Sequence, residues 1–216
     1  MDMSDMAGHS ANLFWSRMYA QLSEFFKEPS AGFTEDVASG RLARFFDEQL
    51  RFLKIDPAPY KGLAQDGNVA AKLGDEYQRL FRGPIPPYVV PVESVYKKWA
   101  SDPGCHLPMA QEKGFLMGDS ALDMMRRYRD EGIAVPDEFA SMPDHLALQL
   151  EYLSFLSLRG DGKQCSEFLA RHLDWLDDLA DEIETVGGGE FYSSGVRIAR
   201  DIVDQARRGG PELFKG

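Results

Sequence analysis

Four histidines (His9, His106, His145 and His172) and two cysteines (Cys105 and Cys165) are the side chains best suited to hold a metal ion or to start nucleophilic chemistry. A zinc site draws its ligands at turn or helical spacing, as in H-x-x-x-H or C-x-x-C. Neither pattern occurs, and the adjacent pair Cys105-His106 is badly placed to chelate one ion. All-helical metal phosphohydrolases use a His-Asp dipeptide, whereas here the order is reversed, as Asp144-His145. No serine stands in a G-x-S-x-G elbow. Gly160-Asp161-Gly162-Lys163 lacks both the spacing and the Ser/Thr of a phosphate-cradling loop. The expectation is a protein with no catalytic residue, no metal and no cofactor.

Charge narrows what it binds. The chain of 216 residues has 24 Lys+Arg against 35 Asp+Glu, a formal net charge of −11. A nucleic-acid binder needs a basic stripe to displace counterions from phosphate, so nucleic acid is an unsuitable partner. An anionic membrane surface is unsuitable for the same reason. Residues 167–184, read as one helix, carry seven carboxylates against Arg171, a local charge of −6. Such a face is first of all a solvated one, with a secondary role in steering cations. Two cysteines make no disulfide framework, residues 1–10 lack a secretory pattern, and no apolar run reaches the ~20 residues of a membrane span. These features suggest a soluble cytoplasmic protein without membrane insertion.

The elements that must position any site read as helices throughout. Ser10 is a candidate N-cap for a helix with Phe14, Met18, Leu22 and Phe25 on one face, stopped by Pro29 and Gly32. A second segment, opened by Thr34 or Ser39, carries Leu42, Phe45, Phe46, Leu50 and Leu53 up to the break at Asp56-Pro57-Ala58-Pro59. A third has Val69, Leu73, Tyr77, Leu80 and Phe81 at spacings of three and four. Residues 83–91 hold Gly83, Pro84, Pro86, Pro87 and Pro91 and predict a stiff extended loop, followed by a short helix over 93–99. Beyond it come a helix over 120–131 with Leu122, Met125 and Tyr128 inward, and a central helix, apolar all round, from Leu146 to Leu158 with Asp144 in its first turn. Gly160 and Gly162 end that helix, Gly187-Gly188-Gly189 forms a flexible link, and a last helix contains Phe191, Ile198, Ile202, Val203 and Ala206. No stretch alternates with period two. The class is all-α: a single domain over 1–216, in two helical halves of about 1–105 and 115–216 joined by a hinge.

One region gathers aromatic side chains beside prolines: Tyr77, Phe81, Tyr88, Tyr96 and Trp99. They either fill a core beneath the loop or line a preformed apolar groove for a peptide. Here the strings Glu76-Tyr77-Gln78-Arg79-Leu80-Phe81-Arg82-Gly83-Pro84, Pro86-Pro87-Tyr88 and Glu93-Ser94-Val95-Tyr96 resemble the TorD/DmsD/NarJ family of redox-enzyme maturation chaperones. The resemblance continues through Met117-Gly118-Asp119-Ser120-Ala121-Leu122, Pro143-Asp144-His145-Leu146 with Leu150-Glu151-Tyr152, and His172-Leu173-Asp174-Trp175 followed by Phe191-Tyr192. It runs over residues 76–206, about three fifths of the chain.

The resemblance implies a TorD/DmsD-like helical bundle and a cytoplasmic chaperone. Its partner would be the precursor of a molybdopterin-dependent oxidoreductase, held through its twin-arginine signal peptide until the cofactor is inserted. Carried over by motif, the partner-binding residues are Tyr77, Leu80, Phe81, Tyr88, Glu93, Ser94, Tyr96, Gly118, Asp144 and His145. Family members often carry an acidic residue just before the proline that precedes Asp-His. Here Ser141 and Met142 precede Pro143, which leaves Glu93 and Asp144 as candidates to meet the arginines. Asp144 has an alternative role in capping the following helix. The resemblance also leaves open a weak guanine-nucleotide-binding enzyme and a helical adaptor that docks a folded client independently of its signal. The Gly- and Pro-rich connectors permit exchange of the two halves between protomers, which would give a domain-swapped homodimer.

Overall fold

The computed structural model describes residues 3–64, 72–83 and 85–210, so Val69 and Pro84 of the expected elements lie outside it. Among the described residues there are ten α-helices, a few short 3-10 or π turns and no strand beyond one isolated bridge between Val92 and His145. The all-α expectation holds at this level. The helices are α1 (Met3–Ser23), α2 (Ala31–Ala38), α3 (Arg41–Phe52), α4 (Leu73–Tyr77), α5 (Glu93–Tyr96), α6 (Asp119–Asp130), α7 (Leu146–Arg159), α8 (Gly162–His172), α9 (Leu176–Val186) and α10 (Glu190–Gly209).

The core forms around α7. Leu146, Ala147, Leu150, Leu153 and Leu156 are fully buried, and Tyr152 nearly so, because helices cover this element on several sides. Only Leu158 of the expected apolar set turns out to solvent. Its main partner is α1, whose Trp15, Met18, Tyr19 and Leu22 are buried at spacings of three and four. Each such side chain contributes about 1.5–3 kcal/mol on leaving water. The expected Met18, Leu22 and Phe25 are buried, and the stripe widens to Trp15 and Tyr19 while Phe14 is only partly covered. Ser10 lies inside α1 rather than at its cap, since helix continues back to Met3. Residues from opposite ends of the chain therefore share one core. On another side α10 brings Phe191, Ile198, Ile202 and Val203 inward. Its Gly195 sits so close to the Phe25 ring that a Cβ there would lie 2.4 Å from it.

Several boundaries differ from the sequence pattern for local reasons. Ser30 caps α2 by accepting from the Phe33 amide at 3.1 Å, and α3, expected to open at Thr34 or Ser39, starts after Gly40 at φ 70°. The helix over 93–99 is a single turn, because Lys97 is already extended. In α6 the buried residues are Ala121, Asp123, Met124 and Tyr128; Leu122 and Met125 face out, both nearly half exposed. Gly160 ends α7 at φ 72°, but Gly162 opens α8, with Asp161 as its N-cap. The stretch 167–184 is two helices, broken where the Trp175 indole donates to the His172 carbonyl at 2.8 Å. The triple glycine is a tight turn: Gly187 adopts φ 73°, and a Cβ on Gly189 would collide with the Glu76 carboxylate.

Candidate functional site: a charged cleft beside α5

The expected site residues divide into three groups. Tyr77, Leu80 and Phe81 belong to the core: α4 continues as a π turn over Gln78–Arg82, and Phe81 meets Tyr192 edge-on at 5.4 Å. Burial pushes the Tyr77 phenol up to about 12. Tyr88 remains on the exposed Pro-rich loop. The five aromatics therefore form no single groove, since Tyr96 and Trp99 pack elsewhere.

The second group is a sealed corner. Asp144 is completely buried, and its Oδ2 accepts from the Ser94 amide at 2.7 Å and from the Ser94 hydroxyl. Its Oδ1 has no hydrogen-bond partner. Burial, only partly offset by Ser94, holds this carboxyl above its ordinary value. Asp144 precedes α7 and does not cap it. His145 does, through Nδ1, which accepts from the Ala147 amide at 3.2 Å. Burial, with Arg82 adding to it, drives the His145 pKa down to about 3, so the ring is neutral. In this conformation Asp144 has no open face to offer a ligand. Gly118 is a matter of approach: the Asp119 amide donates to the Trp99 carbonyl at 2.8 Å, and a Cβ on Gly118 would stand 2.7 Å from that oxygen.

The third group opens on a cleft of about 620 Å³ between α5, α6 and the α8–α9 break. Glu93 lies at its floor, 1% exposed. Its Oε2 accepts from Gln149 and faces His172 Nδ1 at 2.8 Å, while Oε1 pairs with Lys97 at 2.7 Å. The other imidazole nitrogen, Nε2, faces Asp123 Oδ2 at 2.9 Å. Burial works against ionisation of Asp123, but hydrogen bonds from Arg127 and His172 outweigh it and hold the carboxyl below its ordinary value. The floor is thus a chain of hydrogen-bonded polar groups drawn from α5, α6, α7 and α8. One wall is the Tyr96 ring stacked on Trp175, centroids 4.9 Å apart and 20° between planes. Burial first, then the hydrogen bond to Glu182, raises the Tyr96 pKa, so its phenol stays protonated. The rim carries Asp174 and Asp178, each about half exposed. Through Ser101, Asp119 and Arg171 the cleft adjoins a second depression lined by the exposed Leu122 and Met125.

Asp123, His172, Asp174 and Trp175 were not among the expected site residues, though three of them lie in a motif that carried the resemblance. Asp123 and His172 are 49 positions apart and Glu93 and His172 are 79 apart, so no local spacing announces them. The available signal was a histidine on the apolar stripe of Phe168 and Leu169 with two carboxylates elsewhere to satisfy it. Among the described residues no cluster of three or more His, Cys, Asp or Glu side chains is arranged to hold a metal ion. Cys165 is buried, which pushes its thiol up to about 11.

The class defined so far is an all-helical bundle with a charged, aromatic-walled cleft. Comparison with known proteins gives the class a family. The model described as nitrate reductase delta subunit matches residues 34–182, and the chain belongs to that family, of the NarJ/TorD-like kind, whose members are chaperones and not enzymes. The chaperone protein TorD of Vibrio cholerae serotype O1 (strain ATCC 39315 / El Tor Inaba N16961) is 28% identical over 130 residues, 53% of this chain and 59% of that protein. The same-named protein of strain ATCC 39541 / Classical Ogawa 395 / O395 is 26% identical over the same length. The match thus spans under two thirds of these relatives. A crystallised protein from Archaeoglobus fulgidus, described as a redox enzyme maturation protein, has the same fold: TM-score 0.56, 21% identity, covering 88% of this chain and 93% of that one. Among the described residues no helix is long and apolar enough to cross a membrane.

Proposed function

We propose that this protein is a cytoplasmic maturation chaperone that binds the twin-arginine signal peptide of a molybdopterin-dependent oxidoreductase and holds the apoenzyme until its cofactor is inserted. The observation that carries this reading is the cleft: rim carboxylates beside a flat aromatic wall, adjoining exposed apolar Leu122 and Met125. A signal of this type is an arginine pair followed by a moderately apolar stretch. Guanidinium groups pair bidentately with carboxylates and stack on aromatic faces. Asp174 and Asp178 are placed to receive the arginines from solvent, with Glu93 beneath them. Asp144, His145, Ser94 and Gly118 serve by fixing α5 and the start of α6, and Tyr77, Leu80 and Phe81 by supporting the loop that carries Tyr88.

Titration with such a peptide, and with its Arg-to-Ala counterpart, tests the reading. Binding that needs the arginines and weakens with salt supports it; equal affinity for both peptides, or none, overturns it. The exposed Leu107, Phe115 and Leu116 favour a second reading, an adaptor that docks the client's folded body. In that case binding survives deletion of the signal. The guanine-nucleotide alternative gains nothing, because Gly160-Asp161-Gly162-Lys163 is the turn from α7 to α8 with Asp161 as cap. We also propose that the two halves exchange between protomers about the connector at 106–114, rebuilding the α1–α7 contact across a dimer. Light scattering of freshly purified protein measures that exchange.

A further inference from the structure

The ammonium of Lys97 sits where the cleft is best built for a cation. It lies 2.7 Å from Glu93 Oε1, 2.5 Å from Asp174 Oδ1 and 2.6 Å from the Arg171 carbonyl, so its three donors meet three acceptors. Glu93 is buried and its other oxygen is taken by Gln149 and His172. Lys97 therefore stands between Glu93 and anything entering from the rim. We infer that Lys97 is a displaceable plug: a guanidinium of the bound peptide takes its place between Glu93 and Asp174, against the Tyr96–Trp175 stack. This rests on the reading of the protein as a binder of twin-arginine peptides.

Three features make the exchange inexpensive and selective. Lys97 is the first extended residue after α5, on a flexible four-carbon stem, and its side chain is 24% exposed, so the ammonium can swing out to solvent at the rim. One cation replaces another, so the buried Glu93 is never left unpaired, which is the costly outcome in an interior. The incoming group is planar with five donors in a fixed fork. It spans two carboxylates and lies along an aromatic face, neither of which an ammonium does as well. The plug thus sets a threshold that favours arginine over lysine.

The test measures affinities of wild type, Lys97→Met and Lys97→Arg for three probes: N-acetyl-Arg-Arg-amide, its Lys-Lys counterpart, and a complete twin-arginine signal peptide. Lys97→Met is expected to bind the diarginine probe about tenfold more tightly than wild type, as removal of an internal competitor predicts. Lys97→Arg is expected to bind it less tightly than Lys97→Met, and the dilysine probe to gain little. Unchanged affinity of Lys97→Met for diarginine, or an equal gain for dilysine, overturns the inference. If the signal peptide binds wild type while Lys97→Met gains nothing, the plug falls and the chaperone reading stands. If diarginine gains but the signal peptide binds no variant, the plug stands and that reading falls. Should Lys97→Met not fold, the ammonium resonance of Lys97 in wild type decides. Movement to a solvent-like position at saturating peptide supports displacement, and an unmoved signal overturns it.

Discussion

Two buried carboxylates flank the single turn of α5, and their surroundings differ. Asp144 lies in a dry corner, bound to Ser94 alone, with one oxygen unpartnered and its pKa raised. Glu93 lies three residues from Tyr96 on the opposite side of that turn, joined to Lys97, His172 and Gln149 and open to the cleft through them. A carboxyl that is buried without a charge partner serves best as a tie between chain segments. One that is paired on every side beside a cleft lies where a ligand can compete for those partners. The Asp-His dipeptide drew notice as a motif, yet the open cleft lies beside Glu93 and Tyr96, and Asp144 is sealed.

Substitutions can separate these roles. The largest effect is expected at His172→Ala, which leaves Glu93 and Asp123 buried without their shared partner. Emptying this buried, doubly hydrogen-bonded position is expected to cost about 3–5 kcal/mol, read in urea unfolding, and peptide binding should fall with it. Asp144→Ala strands the Ser94 donors and is expected to cost about 2–3 kcal/mol while changing peptide affinity less than twofold. A large affinity loss with unchanged stability would erase the contrast between the corner and the floor.

The pH dependence is next. The folded pKa of His145, about 3, lies below the unfolded value of about 6.5. Its contribution is therefore complete above pH ~6.5 and is lost as pH falls from there toward 3, with a slope of at most about 1.4 kcal/mol per pH unit. Asp123, lowered, also loses stability on acidification below the ordinary carboxylate range, and Asp144, raised, works in the opposite sense. His145→Asn keeps a capping acceptor and leaves those two in place. The difference between its stability curve and that of wild type should isolate the imidazole. The smallest stability effect belongs to Asp174→Asn with Asp178→Asn, expected within about 0.5 kcal/mol. The same pair should lower affinity for an arginine peptide about tenfold at low salt and less at high salt.

Helical periodicity made most elements legible, because a stripe of apolar residues at three and four is dictated by the geometry of the helix itself. That is why α7 and α10 appear in the sequence nearly as they stand in the fold. Where tertiary demands compete, the pattern misleads. Leu122 and Met125 look like the inner face of α6, but Asp123 must reach His172, and the helix turns to allow it. The break at Leu173–Trp175 was hidden for a similar reason: an indole on a carbonyl replaces a turn of helix, and no Gly or Pro marks it. Of the candidate site, Glu93 and Tyr96 were found through their motif. Their partners were not, since the contacts join residues dozens of positions apart.

The packing of α1 on α7 also has a consequence in time. Synthesis finishes α1 at Ser23, but α7 begins at Leu146, roughly 120 residues later. At ordinary translation rates this is a delay on the order of ten seconds. Through that interval Trp15, Met18, Tyr19 and Leu22 have left the ribosome without the surface that will bury them. A chain that belongs to a chaperone family thus passes through a stage in which its own apolar stripe is uncovered.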